Sequence, residues 1–404
     1  MTGTLQDIRI FDMSRVLAGP SCTQLLGDLG ADIIKVERPA EGDDTRKWGP
    51  PFLKNAAGQD TDESSYYLSA NRAKRSLTLD FTKPAGRDLA LRLIAQCDVL
   101  VENYKVGTLA RYGLGYDTLH RALPRLVYCS VTGFGQTGPY AARPGYDFLA
   151  QAMGGIMSLQ GEPEGEPMKG AVAVADLMTG MYSAVAILAA LHHRDRTGEG
   201  QQIDMALLDT QVAWLGNQAQ SYLTSGKVPP RLGNAHASVV PYQVFASADG
   251  FIVLACGNDG QFKKFCACAG VPKLAADPHF ATNSARVVNR AMLVPEIARV
   301  IAQKPTAEWI TMLEREGVPC SPINRLDQVF GDPQVQARGM VVPMKHPDAQ
   351  APIALLANPI KYSATPVAYQ LPPPTLGQHT DTILSDMLGL SINEIAALRA
   401  AGVV

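Results

Sequence analysis

Neither sign of charge dominates this 404-residue chain, in which 36 Lys and Arg stand against 38 Asp and Glu for a formal net charge of −2. No basic run interrupts it, so no nucleic-acid surface is expected. The opening MTGTLQDIRIFDMS lacks the basic region and apolar core of a secretory signal. The longest apolar stretch, about Ser183 to Leu191, falls short of the ~20 residues that cross a bilayer. A cytoplasmic protein with no membrane partner is therefore expected. Cysteine is sparse, with seven residues at 22, 97, 129, 256, 266, 268 and 320. Cys266 and Cys268 lie two apart, with no second pair or histidine cluster to complete a metal site. Reduced thiols packed as small hydrophobes are the expectation, and no metal. What is present is ordinary globular composition, 46% hydrophobic and 18% charged, in a chain long enough for a large core and more than one lobe.

The first third of the chain alternates in type. Strand-like runs at 7–12, 31–37, 76–80, 98–103 and 125–131 are interleaved with helical stretches. One helix, 20–30, ends on Gly30, and another, 84–96, begins with Pro84, which suit a C-terminal and an N-terminal helix boundary. Strands alternating with helices predict an α/β parallel sheet of the nucleotide-binding type. Residues 38–65, rich in Gly, Pro and Asp, read as a long loop. RTGEGQQIDMALLD (196–209) reads as a turn, a strand and a helix start. Near 226 the composition shifts, and two strands flank a turn at Ala248-Asp249-Gly250 in a smaller α+β lobe. The region 340–378 is proline-rich and extended, and a helix starts at about Thr380.

Gly133-Phe-Gly135-Gln-Thr-Gly138 matches a dinucleotide fingerprint, yet Pro139 and Pro144 follow and no helical period begins before about Asp147. The fingerprint needs a helix there to meet the pyrophosphate. These glycines read instead as tight turns beside a site. Asp176, in AVAVADLMTG, stands between an apolar strand-like run and an apolar helix. By residue type it is an N-cap, and helix-end amides would hold its carboxylate ionised, the state a nucleophile needs. Arg38, Lys74, Arg75, Lys105 and Arg111 flank strand ends, where phosphate recognition would need cations, although each alone is more often a solvated surface charge. Trp48, Tyr140, Tyr146 and His236 fall in loops, with packing or capping as the plain alternative. His192 and His193 close a helix and need no chemical role.

Taken together, a series of ordered stretches resembles the family III CoA-transferases. They are DMSRVLAGPSCTQLLGDLGADIIKVERP with GDDTR, NRAKRSLTLD, VENYKVGTLARYGLGYD, CSVTGFGQTGPY, GYDFLAQAMGG, VADLMTGMYSA, RTGEGQQIDMALLD, RLGNAHASVVPYQVF and TLGQHTDTILSDMLGLS. The resemblance runs nearly end to end. It implies a large CoA-binding α/β domain built from both chain ends (1–195 and 325–404), a linker (196–225) and a small α+β domain (226–320). It implies an interlocked, ring-like homodimer, coenzyme A or acyl-CoA as substrate with no permanent cofactor, and a small carboxylic acid as the other partner. Asp176 matches the family nucleophile. Val16, Leu17, Ala18, Arg38, Leu79, Asp80, Phe81, Asn103, Tyr104, Lys105, Arg111, Gly145 and Tyr146 match CoA contacts. Trp48, Asp147, His236 and Ser238 are the expected acceptor-side residues. Amides of the 233–240 loop or of the Asp176 helix are the expected oxyanion donors.

Two departures narrow the reading. The alpha-methylacyl-CoA racemases share much of this sequence, but their Gly-His-Asp motif reads Gly145-Tyr146-Asp147 here. Tyrosine, with an ordinary pKa near 10, is a poor base for proton abstraction. Transfer is thus expected over racemisation, and over a non-catalytic CoA-binding role because the Asp176 motif is intact. The formyl-CoA enzymes carry a glycine run where this chain has GNAHASVVPYQ, and a polar residue where it has Leu17. HASVVPYQVF and NDGQF point to succinyl-CoA as donor and a dicarboxylic acid such as glutarate as acceptor.

Overall fold

The computed structural model describes residues 3–404. Its main sheet has six parallel strands: β1 (Arg9–Asp12), β2 (Asp32–Glu37), β3 (Lys74–Thr78), β4 (Val99–Glu102), β5 (Val127–Thr132) and β6 (Gln202–Ala206). Their order is β3-β2-β1-β4-β5-β6. This is the doubly wound nucleotide-binding arrangement, whose order reverses between β1 and β4. The central strands β4 and β5, VLVE and VYCSVT, are mostly apolar and buried because helices cover both faces. One face packs Phe11, Ile34, Leu77 and Leu100 against Leu89 and Leu93 of α2 (Pro84–Ile94). The other packs Ile10, Ile33, Val99 and Val127 against α1 (Ala18–Asp28) and the long helix α4 (Val174–Thr197). Gly180 lies where α4 meets α1, and a Cβ there would fall 2.3 Å from the Ser21 hydroxyl.

Four expectations need correction. Residues 196–225 are not a linker: β6 is the sheet's edge strand, and α5 (Leu207–Ala213) follows it directly. The region 38–65 is not one loop, because Phe52–Lys54 and Asp60–Ser64 pair as an irregular hairpin. No strand precedes Asp176; the chain bends at 171–172 and enters α4 at Val174. The apolar run at 183–191 is part of a 24-residue helix long and apolar enough to cross a membrane, but half of its most apolar window is buried inside this protein.

The chain forms two compact units. The larger holds residues through Ile156, Gly170–Gln220 and Gln336–Val404. The smaller holds Met157–Lys169 and Ser221–Val335. In the smaller, Tyr242–Ala246, Phe251–Ala255 and Cys320–Pro322 make an antiparallel sheet. Phe245, Ile252, Phe262, Phe265, Ile297 and Trp309 form its core. All seven cysteines are free thiols.

The loop after β1 is anchored by buried polar groups. Asp12 accepts from the backbone N–H and hydroxyl of Ser14 and from the Thr23 hydroxyl. Lys35 donates to Asp43 at 2.8 Å and to the Ser14 carbonyl. Asp43 in turn accepts from the Val16 amide. Burial opposes ionisation of Asp43, but Lys35 and Thr45 hold its carboxyl down at about 2. The Lys35 and Asp43 side chains are both fully buried. Lys35→Met would leave Asp43 as an uncompensated buried charge, which costs about 3–5 kcal/mol. Urea melts at neutral pH check this; a loss below about 1 kcal/mol would show that the pair is not what fixes the loop.

Candidate active site

In parallel sheets the ligand crevice opens at the carboxyl ends of the strands, where the order reverses. A cavity sits there. Its wall is made by residues directly following β1 (Arg15, Val16, Leu17, Ala18), β4 (Asn103, Tyr104, Lys105, Val106), β5 (Thr132, Gly133) and β6 (Leu207), together with Asp44, Ala141, Arg143–Tyr146 and Asp176. A second cavity shares Arg15 and Tyr104 with it and is lined by Arg38, Leu79, Asp80, Phe81 and Tyr112. The sequence-predicted contacts at 16–18, 38, 79–81, 103–105 and 145–146 thus line one or other of two neighbouring cavities. Arg111 lies on the 109–112 turn and lines neither.

The β1 loop has an unusual backbone. Val16 takes φ +70°, a conformation that β-branched residues avoid at a cost of about 1–3 kcal/mol. Asn103 overrides that cost: its Oδ1 accepts from the Arg15 N–H at 2.9 Å and its Nδ2 donates to the Arg15 carbonyl at 2.6 Å. The Asn103 side chain is therefore spent on the protein, and its expected role as a CoA contact falls to its backbone. Lys74 and Arg75 also leave the list of phosphate ligands. Lys74 is fully buried and donates to Asp12, the Pro20 carbonyl and Asn71, while Arg75 pairs with Asp32.

Glycine is obligatory at one crossing. Gly133 and Gly145 pass backbone to backbone, and a Cβ on Gly133 would lie 2.4 Å from the Gly145 Cα. Gly135 and Gly138 both take φ +87°. The Gly-rich motif is thus a turn and a close backbone approach in the cavity wall, with no helix before Asp147.

Asp176 is not the N-cap of α4. Ala173 is, so Asp176 occupies the third helical position, and no side chain of the cap residue closes the helix. The cap comes from Asp147, whose Oδ1 accepts from the Ala175 N–H at 2.8 Å and the Asp176 N–H at 3.2 Å. Asp147 Oδ2 accepts from Gln151 at 2.6 Å. The expectation that helix-end amides hold the Asp176 carboxylate ionised is therefore overturned. Burial, and then the negative charge of Asp147, push Asp176 up to about 7. The Val174 and Leu177 amides bond the Val172 and Ala173 carbonyls. With Asp147 on the two amides between them, the helix end has no free N–H for an oxyanion, which removes it as the expected donor.

Several residues in this region escaped sequence reasoning. Arg15 and Arg143 line the cavity; Arg15 lies over Tyr104 and pairs with Asp44 at 3.3 Å. Arg143 lies over Phe134 and Tyr140, at 5.2 and 4.6 Å from the ring centroids. Burial raises the Tyr66 hydroxyl to about 12, with Asp176, Asp147 and Asp43 adding to the effect. Trp48 meets Tyr66 edge-on at 5.1 Å and lines neither cavity. In the smaller unit, His236 Nδ1 accepts from the Ser238 N–H at 3.0 Å, so these two expected residues are bonded to each other.

A doubly wound α/β sheet carries a buried, basic carboxylate and three cations (Arg15, Lys105, Arg143) around one switch-point cavity, an arrangement that suits an anionic ligand. The chain belongs to CoA-transferase family III, whose sequence model matches residues 5–380. It is similar to the succinate–glutarate CoA-transferase of Agrobacterium fabrum, at 49% identity over 95% of each chain. It is also similar to the succinyl-CoA:glutarate CoA-transferase of Homo sapiens, at 44% identity over 99% of this chain and 90% of that one. Among solved structures, a CAIB/BAIF family protein from Brucella suis is 48% identical, with a TM-score of 0.85 over 96% of this chain and all of that one. The chain is accordingly an α/β enzyme of the CoA-transferase class.

Proposed function

We propose that this enzyme moves CoA from succinyl-CoA to glutarate through a covalent intermediate on Asp176. The observation that carries the reading is the placement of a buried, basic carboxylate in the cation-lined cavity of a family III chain. The similarity to two glutarate enzymes supports the choice of acids. In the first step an Asp176 oxygen attacks the succinyl thioester carbonyl, the C–S bond breaks, and CoA leaves as thiolate from a mixed anhydride. The thiolate then attacks the aspartyl carbonyl, which releases succinate and leaves an aspartyl-CoA thioester. Glutarate repeats the sequence in reverse: its carboxylate displaces the thiolate, and the thiolate takes the glutaryl group and frees Asp176. One thioester replaces another, so neither ATP nor a metal enters the balance. The intermediates hydrolyse readily, and burial of Asp176 serves to keep water away.

Arg15, Lys105 and Arg143 suit the phosphates of CoA and a second carboxylate on the acid. Trp48, His236 and Ser238 stay in the proposal as acceptor-side residues on the strength of the resemblance alone. The interlocked homodimer follows from the same resemblance, a 233–240 oxyanion donor stays as a candidate, and a cytoplasmic setting rests on the expectation drawn from the sequence. Met181, Tyr182, Val185 and Leu188, apolar and exposed on α4, support the dimer.

Hydroxylamine added with succinyl-CoA alone should trap the enzyme as a hydroxamate located by mass at Asp176. With succinyl-CoA as donor, glutarate should be the best of a panel of C2 to C6 acids. A panel with no C4 to C6 dicarboxylate turned over would sink the choice of substrate, and an unmodified Asp176 would sink the covalent step.

A further inference from the structure

Asp147 stands one residue after Tyr146 in the cavity wall, at the start of the short helix α3 (Asp147–Met153). Its two oxygens serve different elements. Oδ1 takes the Ala175 and Asp176 amides of α4, and Oδ2 takes the Gln151 side-chain N–H. Gln151 is fully buried, and its own oxygen accepts from the Gly170 N–H at 2.9 Å. A continuous run of hydrogen bonds thus joins Gly170, Gln151 and Asp147 to the backbone of Asp176. We propose that Asp147 is a positioning residue for the nucleophile, tying the Asp176 backbone to the adjoining 143–146 cavity wall and withholding the helix-end amides from the Asp176 carboxylate. This rests on the reading of Asp176 as nucleophile.

The physical argument has two parts. A carboxylate in the first turn of a helix ordinarily takes the free amides itself, which stabilises its charge and weakens it as a base. Asp147 occupies those amides, so the Asp176 oxygens keep their basicity for attack. The two carboxylates also repel each other while Asp176 is ionised. When Asp176 becomes an acyl anhydride its charge moves onto the thioester oxygen and then the departing sulfur. The repulsion is relieved along the reaction, and an interaction worse in the ground state than in the transition state speeds the step. Other charged or titratable groups in this region are Arg15, Asp44, Tyr104, Lys105, Arg143 and Tyr146 in the cavity wall and Tyr66 beside it. Asp147 is the one whose charge acts on Asp176 together with burial.

The test compares Asp147→Asn and Asp147→Ala with the parent enzyme. Asparagine is isosteric and keeps an acceptor for the α4 amides but removes the charge. Its Asp176 should titrate lower by about one pH unit, read directly from ¹³C-labelled aspartate. The acid limb of succinyl-CoA-dependent hydroxylamine trapping should move with it, so that the rate at pH 6 relative to its plateau rises about fivefold. Alanine removes the acceptor as well, and trapping should fall about 100-fold with the circular dichroism spectrum unchanged. Asp147→Asn with both the Asp176 titration and the trapping profile unmoved would overturn the proposal. If the parent gives no adduct at Asp176, the covalent mechanism is wrong, and the direct titration still decides what Asp147 does to Asp176.

Discussion

Asp176→Asn should abolish transfer and at the same time stabilise the protein, by an amount that depends on pH. The amide cannot form an anhydride, and losing a covalent nucleophile costs at least about 10⁴-fold in turnover. Its effect on stability follows from proton linkage. The folded-state pKa of Asp176, about 7, lies above the ~3.9 of an exposed aspartate, so folding favours the protonated form. The stability tied to that proton is complete below the unfolded value and is lost as the pH rises through 7. At pH 8 the ionised group therefore weighs against folding by up to about 4 kcal/mol, and asparagine removes that penalty. Denaturant melts of parent and variant should differ most at pH 8, with the gap shrinking as the pH falls toward 4. An equal gap at both pH values would mean that the carboxyl is not held neutral by its surroundings. Turnover above about a thousandth of the parent's would dismiss Asp176 as nucleophile.

Gly133→Ala should also damage catalysis, though less, for a purely steric reason. The new methyl would meet the Gly145 Cα at 2.4 Å, and Gly145 cannot retreat as a flexible side chain could. One of two wall segments must move, and a displacement of about 1 Å at the reacting groups costs about 100-fold. Gly145 is two residues from Asp147, so the movement reaches the cap of α4. A loss of about 1–3 kcal/mol in stability should accompany it. The comparison is Gly107→Ala, where φ is positive, unlike at Gly133, but the new methyl would meet nothing within 4 Å. If the two variants lost equal activity, the crossing would not be responsible for the loss.

The sheet was largely legible because its signals are local. Gly30 takes φ +109° directly after α1, and Pro84 opens α2; each acts within a residue or two of its own position. The crossing of Gly133 and Gly145 is twelve positions long in sequence and invisible to spacing, although Gly133 lay in a suspected turn. Asp176 misled for the same reason. Its residue type and setting announce an N-cap, but the cap is supplied by Asp147, 29 residues earlier. Lys74 and Arg75 flank strand ends, where a phosphate ligand or, more often, a solvated surface charge is expected, and both are instead committed to carboxylates. Nothing local reveals that Asp12 and Asp32 lie on neighbouring strands ready to take them. The hairpin at 52–64 hid behind a composition of Gly, Pro and Asp, since its pairing is irregular and its second strand is mostly polar.

The loop after β1 has a consequence for affinity. The amides of Ser14, Arg15 and Val16 each donate to a side-chain oxygen, from Asp12, Asn103 and Asp43 respectively. A free loop of this kind loses about 1–2 kcal/mol per residue in conformational entropy when a ligand orders it. Here the ordering is completed when the chain folds, at the expense of global stability. A ligand that docks on this loop does not have to order it, and that cost is not subtracted from its binding free energy.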